Sequence, residues 1–202
     1  MNNYLFFYSS ILSSIIPIIF IGIHRLKSNQ NRFRSIFYIF LLVRFLSDLG
    51  NIILEKVINN SFPVFHFSIT IQFFLILELF YMIRKIKIPK TFFNTLAFVF
   101  FILDLTVTSN VFQNNHLSTM YTYFVISGFG MVYLYNISGD LFKKTILSSI
   151  SIYTIAFAFL LCFEEIILKS KELNNYLINF MALLSLMLNI IFSYALCLKP
   201  KN

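Results

Sequence analysis

Polar side chains recur on one face of a long apolar stretch, residues 41–56 (LLVRFLSDLGNIILEK). Because each residue of a helix advances by about 100°, four of them fall within an arc of roughly 60°: Arg44, Asp48, Asn51 and Glu55. A guanidinium beside carboxylates and an amide could hold an anion, a cation or a proton. A charged side chain at mid-bilayer costs about 2.5–3.5 kcal/mol, so this polar stripe indicates the wall of an interior site.

Further candidates lie at depth in other apolar stretches. Glu78 is as far from the outer end of its predicted helix as Arg44 is from the end of its own, and we expect these two residues to pair across neighbouring antiparallel helices. Asp104 is expected near the midplane, level with Asp48. The last apolar stretch adds a polar stripe at helical spacing, and the first adds two hydroxyls and a proline: Ser185, Asn189 and Ser193, with Ser13, Ser14 and Pro17. We expect all of these residues to surround one polar centre.

Two secondary candidates, Glu55 and His66, share a predicted level nearer the outer surface, where His66 is expected to be an interfacial residue. In the interior, one arginine cannot neutralise three nearby acids. Repulsion between like charges in a low dielectric then favours a protonated carboxyl group, and we expect Asp48 or Asp104 to bind a proton near neutral pH. A structural alternative stays open, because Arg44 and Asp48 are at i, i+4 and could simply neutralise each other.

Composition indicates the class of protein that must position these residues. The chain has 202 residues, of which 58% are hydrophobic and 12% charged, with a mean hydropathy of +0.80. A soluble domain carries about 25% charged residues. Apolar runs close to the length of a bilayer-spanning helix recur from end to end. The sequence therefore predicts an all-α polytopic membrane protein with a single domain over residues 1–202. The seven predicted helices are residues 4–24, 35–58, 64–84, 92–110, 117–138, 145–168 and 176–198.

The cationic residues predict the orientation of these helices. Alternate loops differ strongly in their cations: one side holds Arg25, Lys27, Arg32, Arg34, Arg84, Lys85, Lys87, Lys90, Lys143, Lys144, Lys199 and Lys201, and the other holds Lys56, Lys169 and Lys171. Cations near helix ends stay on the cytoplasmic side. We therefore expect an outside amino terminus and a cytoplasmic carboxyl terminus, in the cytoplasmic (inner) membrane if the host is bacterial. The net charge of +8 then reflects topology and attraction to anionic lipids, and no nucleic-acid partner is expected.

No motif for a metal, nucleotide, cofactor or catalytic triad occurs in the sequence. Cys162 and Cys197 lie in different apolar stretches that should end at opposite membrane faces, so we expect no disulfide, metal site or cofactor. The expected partners are membrane lipids and a small solute or proton, and assembly as a homo-oligomer stays open.

Packing features point the same way. Ser127, Gly128 and Gly130 are small residues that favour close helix contact. Four tyrosines near the ends of the fifth helix are interpreted as interfacial anchors: Tyr121, Tyr123, Tyr133 and Tyr135. The stretch from residue 51 also resembles the stretch from residue 165, since each has a helix end, an Asn-Asn turn, a second helix and a Lys-Pro-Lys-like close. This similarity suggests that helices 1–3 and 5–7 are parallel repeats joined by helix 4, as in some transporters.

The pattern of Asp48, Asn59-Asn60, His66 and Glu78 resembles a group of small bacterial seven-helix integral membrane proteins of uncharacterised function. The resemblance covers the second and third helices and implies a seven-helix fold, with no activity attached. From the residues themselves, our leading hypothesis is a small-solute transporter or ligand-responsive membrane protein. A membrane-embedded lipid-modifying enzyme and a subunit or effector of a membrane complex are the alternatives.

Overall fold

The computed structural model describes residues 12–25, 32–58, 62–83, 87–108, 116–137, 139–162 and 171–198. Within these ranges the chain forms α-helices and one short π-helical segment, and no strand. The helices are α1 (Ile15–Arg25), α2 (Arg32–Ile58), α3 (Phe62–Tyr81), α4 (Lys90–Leu103), α5 (His116–Tyr135), α6 (Leu141–Leu161) and α7 (Lys171–Cys197), with the π-helical segment at Asp104–Thr108. The all-α prediction is confirmed for this part of the chain. The beginning of the first predicted helix and the end of the sixth lie outside the described residues.

Local sequence signals set several helix ends. Gly139 adopts a positive φ of 96°, which glycine tolerates because it has no Cβ. The next residue, Asp140, is the N-cap of α6, and its Oδ1 accepts a hydrogen bond from the Lys143 backbone N–H at 2.9 Å. Pro89 precedes α4 in an extended conformation. Turn and cap residues therefore separate the apolar helices where the sequence predicts breaks.

Among the described residues, three helical segments are long and apolar enough to cross a membrane: Arg32–Ile58, Leu141–Leu160 and Asn179–Cys197. His66–Tyr81 is also apolar, but shorter. A bilayer core requires about 20 residues of helix. These lengths and compositions are compatible with a membrane protein.

The chain divides into two compact units, each described by itself. The terminal unit contains Met1–Ser28 and Ser127–Asn202, and the central unit contains Asn29–Ile126. The boundary lies inside α5 and does not coincide with the boundaries of the predicted repeats. The repeat therefore stays a prediction.

Aromatic residues form much of the core of the central unit. Tyr121 of α5 packs against Phe73 and Phe100, with ring centroids 5.6 Å and 4.9 Å apart, and its hydroxyl donates to the Phe93 carbonyl at 3.1 Å. Tyr121 is thus partly buried against α3 and α4, and its interpretation as an interfacial anchor stays a prediction. The phenolic hydroxyl is accommodated there because it reaches a backbone acceptor.

Small and hydroxylated residues join α5 to α6 in the terminal unit. A Cβ added to Gly130 would lie 2.9 Å from Ser151 Cβ and 3.0 Å from Ser151 Cα, so the two helices touch at this position. The Ser127 hydroxyl donates to the Thr154 carbonyl at 2.8 Å. Close packing is therefore observed at Ser127 and Gly130, whereas Gly128 faces open space. Of the predicted anchors, Tyr133 is buried in the core, whereas Tyr135 is 95% exposed.

Candidate functional site

The polar stripe of α2 starts on the buried side of the helix. Arg44 is 9% exposed and lies on the same side as the buried Phe37 and Leu41. Asp48 and Asn51 follow on this side and are partly buried. The other side of α2 is apolar and exposed, with residues Leu42, Leu46, Leu49 and Ile53. Arg44 therefore faces the protein interior. The side chain of Glu55 lies outside the described part of the structure.

A close contact fixes the register of α2 against α3. A Cβ on Gly50 would lie 3.1 Å from Val64 Cγ2, so the two antiparallel helices touch at this pair. Continuing along both helices in opposite directions places Asp48 level with His66, and Arg44 level with Thr70. Both members of each pair lie on the inward sides of their helices.

His66 is the most deeply placed polar residue of α3, with 0% exposure. The backbone carbonyl of His66 accepts a hydrogen bond from the Thr70 hydroxyl at 3.3 Å. The predicted level of His66 is wrong, because the register places His66 opposite Asp48 rather than Glu55. Its expected position near the membrane interface stays a prediction. The sequence does not show this difference in level. The linker between α2 and α3 is short, but α2 continues past the level at which α3 begins.

Asp104 is fully buried at the end of α4, where the π-helical segment begins. Its Oδ2 accepts hydrogen bonds from the backbone N–H and the hydroxyl of Ser118, both at 2.6 Å. Ser118 lies in the first turn of α5, where backbone N–H groups lack intrahelical partners and the helix dipole favours a negative charge. Asp104 therefore caps α5. Its expected depth near the membrane midplane stays a prediction.

The register of α3 against α4 relates Asp104 to the other polar residues. Phe67 packs against Phe101 with ring centroids 5.5 Å apart, and at the other end Glu78 contacts Lys90. The same register brings Asp104 within about one helical turn of the level of His66. Four residues of the central unit thus lie at similar levels along their helices. We call these four residues the polar layer: Arg44, Asp48, His66 and Asp104.

Asn51 lies next to this layer on α2. Its Oδ1 atom is buried and accepts no hydrogen bond from the residues that the structure describes. A buried amide oxygen without a donor loses the hydrogen bonds that it would make in water. Asn51 is therefore a polar group that could accept a hydrogen bond from a ligand.

Glu78 does not belong to the polar layer. It lies near the end of α3, and its carboxylate accepts a hydrogen bond from Arg32 Nη2 at 2.8 Å and forms a second ion pair with Lys90. The predicted Arg44–Glu78 pair is therefore wrong. The prediction assumes that the outer ends of α2 and α3 lie at the same level. They do not, so equal distances from these ends do not place two residues opposite each other.

The predicted residues of α7 lie in the terminal unit. Asn189 is 0% exposed, and its Nδ2 donates to the Ser13 hydroxyl at 2.8 Å. Ser193 donates its hydroxyl to the Asn189 carbonyl, and Ser185 is partly buried. A polar contact therefore joins α7 to the residues just before α1. These residues and the polar layer belong to different units, so no common site is described.

The chemistry available in the polar layer is that of ions and hydrogen bonds. Among the described residues, no group of three His, Cys, Asp or Glu side chains is placed to hold a metal ion. Arg44 offers a cation with several N–H donors, and Asn51 offers a buried acceptor.

Comparison of the chain with protein-family models, curated proteins and solved structures finds no match.

Two contributors were not predicted from the sequence. Ser118 follows the start of α5, and serine in a first helical turn is a common partner for a capping carboxylate, but the carboxylate comes from the preceding helix. In the sequence, Arg32 indicates only the cytoplasmic side of the membrane. Its position opposite Glu78 depends on the α2–α3 register, which no local pattern records.

Proposed function

We propose that this chain is a seven-helix integral membrane protein that binds a small polar or anionic solute inside its helical bundle, as a transporter or as a ligand-responsive protein. The proposal places the protein in a bacterial cytoplasmic membrane with its amino terminus outside. Three apolar helices of sufficient length support membrane insertion. The concentration of Lys and Arg in alternate loops supports the orientation.

The observation that carries the proposal is the burial of Arg44 within the longest apolar helix. At 9% exposure, its guanidinium is withdrawn from both water and lipid. Ionisable residues inside membrane helices are costly and commonly mark the path of a solute, ion or proton. Arg44 lies within one turn of Asp48, and His66 lies level with Asp48, so the cation is accompanied by groups that exchange protons.

Each residue has a proposed role. Arg44 holds an anionic group of the solute, because its planar guanidinium can donate two parallel hydrogen bonds to a carboxylate or phosphate. Asn51 orients the solute through its buried amide. Asp48 or His66 takes up or releases a proton as the solute binds. Asp104 holds the start of α5 in place and so shapes the layer.

The alternative of a lipid-modifying enzyme has less support. It requires two carboxylates that act as a general acid and base, and Asp104 is already engaged by two donors of Ser118. Glu78 is engaged at the end of α3 by Arg32 and Lys90.

A thermal-unfolding screen of the purified protein in detergent tests the proposal. The probes are chloride, phosphate, acetate, lactate and succinate at matched ionic strength. We expect one class of anion to stabilise the wild type, since a ligand at one hundred times its Kd adds about 2.7 kcal/mol. Arg44→Gln should lose this stabilisation, whereas Lys90→Gln, which removes a cation outside the layer, should keep it. An anion effect of equal size in wild type and Arg44→Gln would contradict the proposed role of Arg44.

A further inference from the structure

An open groove runs between α2 and α3 on the outer face of this helix pair. Its volume is about 430 Å³, and its lining includes Val43, Leu46, Ser47, Val64, Phe67 and Ile71. Leu46, Phe67 and Ile71 are 53%, 52% and 45% exposed, so the groove opens to the surroundings of the protein. The contact between Gly50 and Val64 closes the groove at one end.

The groove has two polar side chains in its lining. The Ser47 hydroxyl already donates to the carbonyl of Val43 at 2.8 Å, and Ser68 of α3 is only 7% exposed, so the groove presents little polar surface. Its remaining lining on α2 is aliphatic. A solute with hydrogen-bonding groups would therefore lose contacts with water and gain few in return. An aliphatic chain matches this surface.

A charged cluster of Arg32, Glu78 and Lys90 lies on the same face, beyond the end of the groove that is opposite the contact between Gly50 and Val64. Arg32 precedes Val43 by about three helical turns, and Glu78 follows Ile71 by about two, so both residues lie on the groove side of their helices. Arg32 and Lys90 both contact the Glu78 carboxylate, which leaves one net positive charge. The Arg32 side chain is 78% exposed and uses Nη2 toward Glu78, so its other N–H groups face outward.

The distance between cluster and groove fits a phospholipid. Arg32 and Val43 are separated by about 16 Å along the helix axis, and half of a bilayer's hydrocarbon core is about 15 Å thick. We propose that this face binds an anionic phospholipid of the cytoplasmic leaflet, with the phosphate on Arg32 and the end of one acyl chain in the groove. The inference goes beyond solute binding, but it rests on the proposed membrane insertion and orientation.

Fluorescence quenching by brominated lipids tests this site directly, because the chain contains no tryptophan. A single tryptophan is introduced as Ile71→Trp at the groove. Its matched control is Phe98→Trp on α4, which is exposed and level with Ile71 but outside the groove. Both proteins are reconstituted in phosphatidylcholine vesicles that contain a small fraction of brominated phosphatidylglycerol or brominated phosphatidylcholine.

We expect phosphatidylglycerol to be preferred about five-fold at Ile71→Trp, the factor that corresponds to one cation near an anionic headgroup. Phe98→Trp should show no preference. Adding Arg32→Gln to Ile71→Trp should abolish the preference, whereas adding Lys56→Gln, at the other end of α2, should leave it unchanged.

Four results would overturn the site. An equal preference at both tryptophans would show general attraction to the membrane surface. Quenching by both lipids without preference at Ile71→Trp would show ordinary lipid contact. Protection of Ile71→Trp alone would show that protein, such as a second copy of this chain, covers the groove. If neither tryptophan were quenched, membrane insertion itself would be wrong, and the proposed function would fail together with the site.

Discussion

The carboxylate of Asp104 accepts two hydrogen bonds from Ser118, one from the backbone N–H and one from the hydroxyl, each at 2.6 Å. This pair joins the end of α4 to the first turn of α5 inside the central unit. The buried Asp104 therefore has a structural role, because a carboxylate at a helix N-terminus accepts hydrogen bonds from backbone N–H groups that have no partner within the helix.

Removing the Asp104 cap should destabilise the protein in a graded way. Asp104→Ala leaves the Ser118 N–H buried without an acceptor and should lower the free energy of unfolding by about 1–3 kcal/mol. Ser118→Ala loses only the hydroxyl bond and should cost about 0.5–1.5 kcal/mol. Chemical unfolding in mixed micelles measures both values. Equal stability of Asp104→Ala and wild type would show that the pair does not hold α5.

The ion pairs of Glu78 predict a specific pattern of coupling. A double-mutant cycle between Glu78→Gln and Lys90→Gln should give a coupling energy of about 0.2–1 kcal/mol, the range of partly exposed ion pairs. The cycle between Glu78→Gln and Arg44→Gln should be additive within about 0.3–0.5 kcal/mol. Strong coupling of Glu78 to Arg44 would restore the pair predicted from the sequence and refute the observed register.

Two nearby glycines of α5 should respond oppositely to the same substitution. Gly130→Ala places a Cβ 2.9 Å from Ser151 Cβ, and the required separation of α5 from α6 should cost about 1–3 kcal/mol. Gly128→Ala meets no atom within 4 Å and should stabilise the helix by about 0.5–1 kcal/mol. Thermal unfolding of the two variants side by side measures the difference. A stabilising Gly130→Ala would show that α5 and α6 are not in contact there.

The hydrogen bond from Asn189 to Ser13 should couple the last helix to the residues before the first. Interhelical hydrogen bonds in membrane proteins contribute about 0.6 kcal/mol on average and about 1.7 kcal/mol at most. We expect the cycle between Asn189→Ala and Ser13→Ala to fall in this range. The cycle between Asn189→Ala and Ser149→Ala is the control, because the Ser149 hydroxyl bonds within α6. A coupling of zero in the first cycle would show that the bond does not form in solution.

The sequence predicts the class of fold well, for a physical reason. Apolar runs, clustered cations and turn residues are local signals, and they predict a helix at the place of each of the seven described α-helices. Helical periodicity also identifies the inward face of α2, because Arg44 lies among buried phenylalanines.

Relations between helices were predicted less well. The pairing of Glu78 and the depth of His66 depend on how far α2 slides along α3, and the contact between Gly50 and Val64 decides that register. Asp104 presents the same difficulty, since it caps α5 by accepting from a backbone N–H and a hydroxyl on the next helix and not by pairing with a charged residue. Sequence spacing within one helix contains no information about either relation.

The central claim is that the polar stripe of α2 lines a site that a solute can reach, and cysteine accessibility measures this directly. Cys162 and Cys197 are first replaced by serine, which leaves no other cysteine in the chain. Single cysteines are then introduced at Asp48 and Asn51 in the stripe, and at Leu49 and Ile53 on the exposed apolar side. Intact cells are treated from outside with a charged, water-soluble methanethiosulfonate reagent.

We predict that the cysteines at Asp48 and Asn51 react, and that those at Leu49 and Ile53 do not, because lipid excludes the charged reagent. Correct folding of each variant is checked by its elution from a size-exclusion column. Folded variants in which Asp48 and Asn51 are protected would show a sealed, purely structural polar core. That result would contradict the proposed solute site.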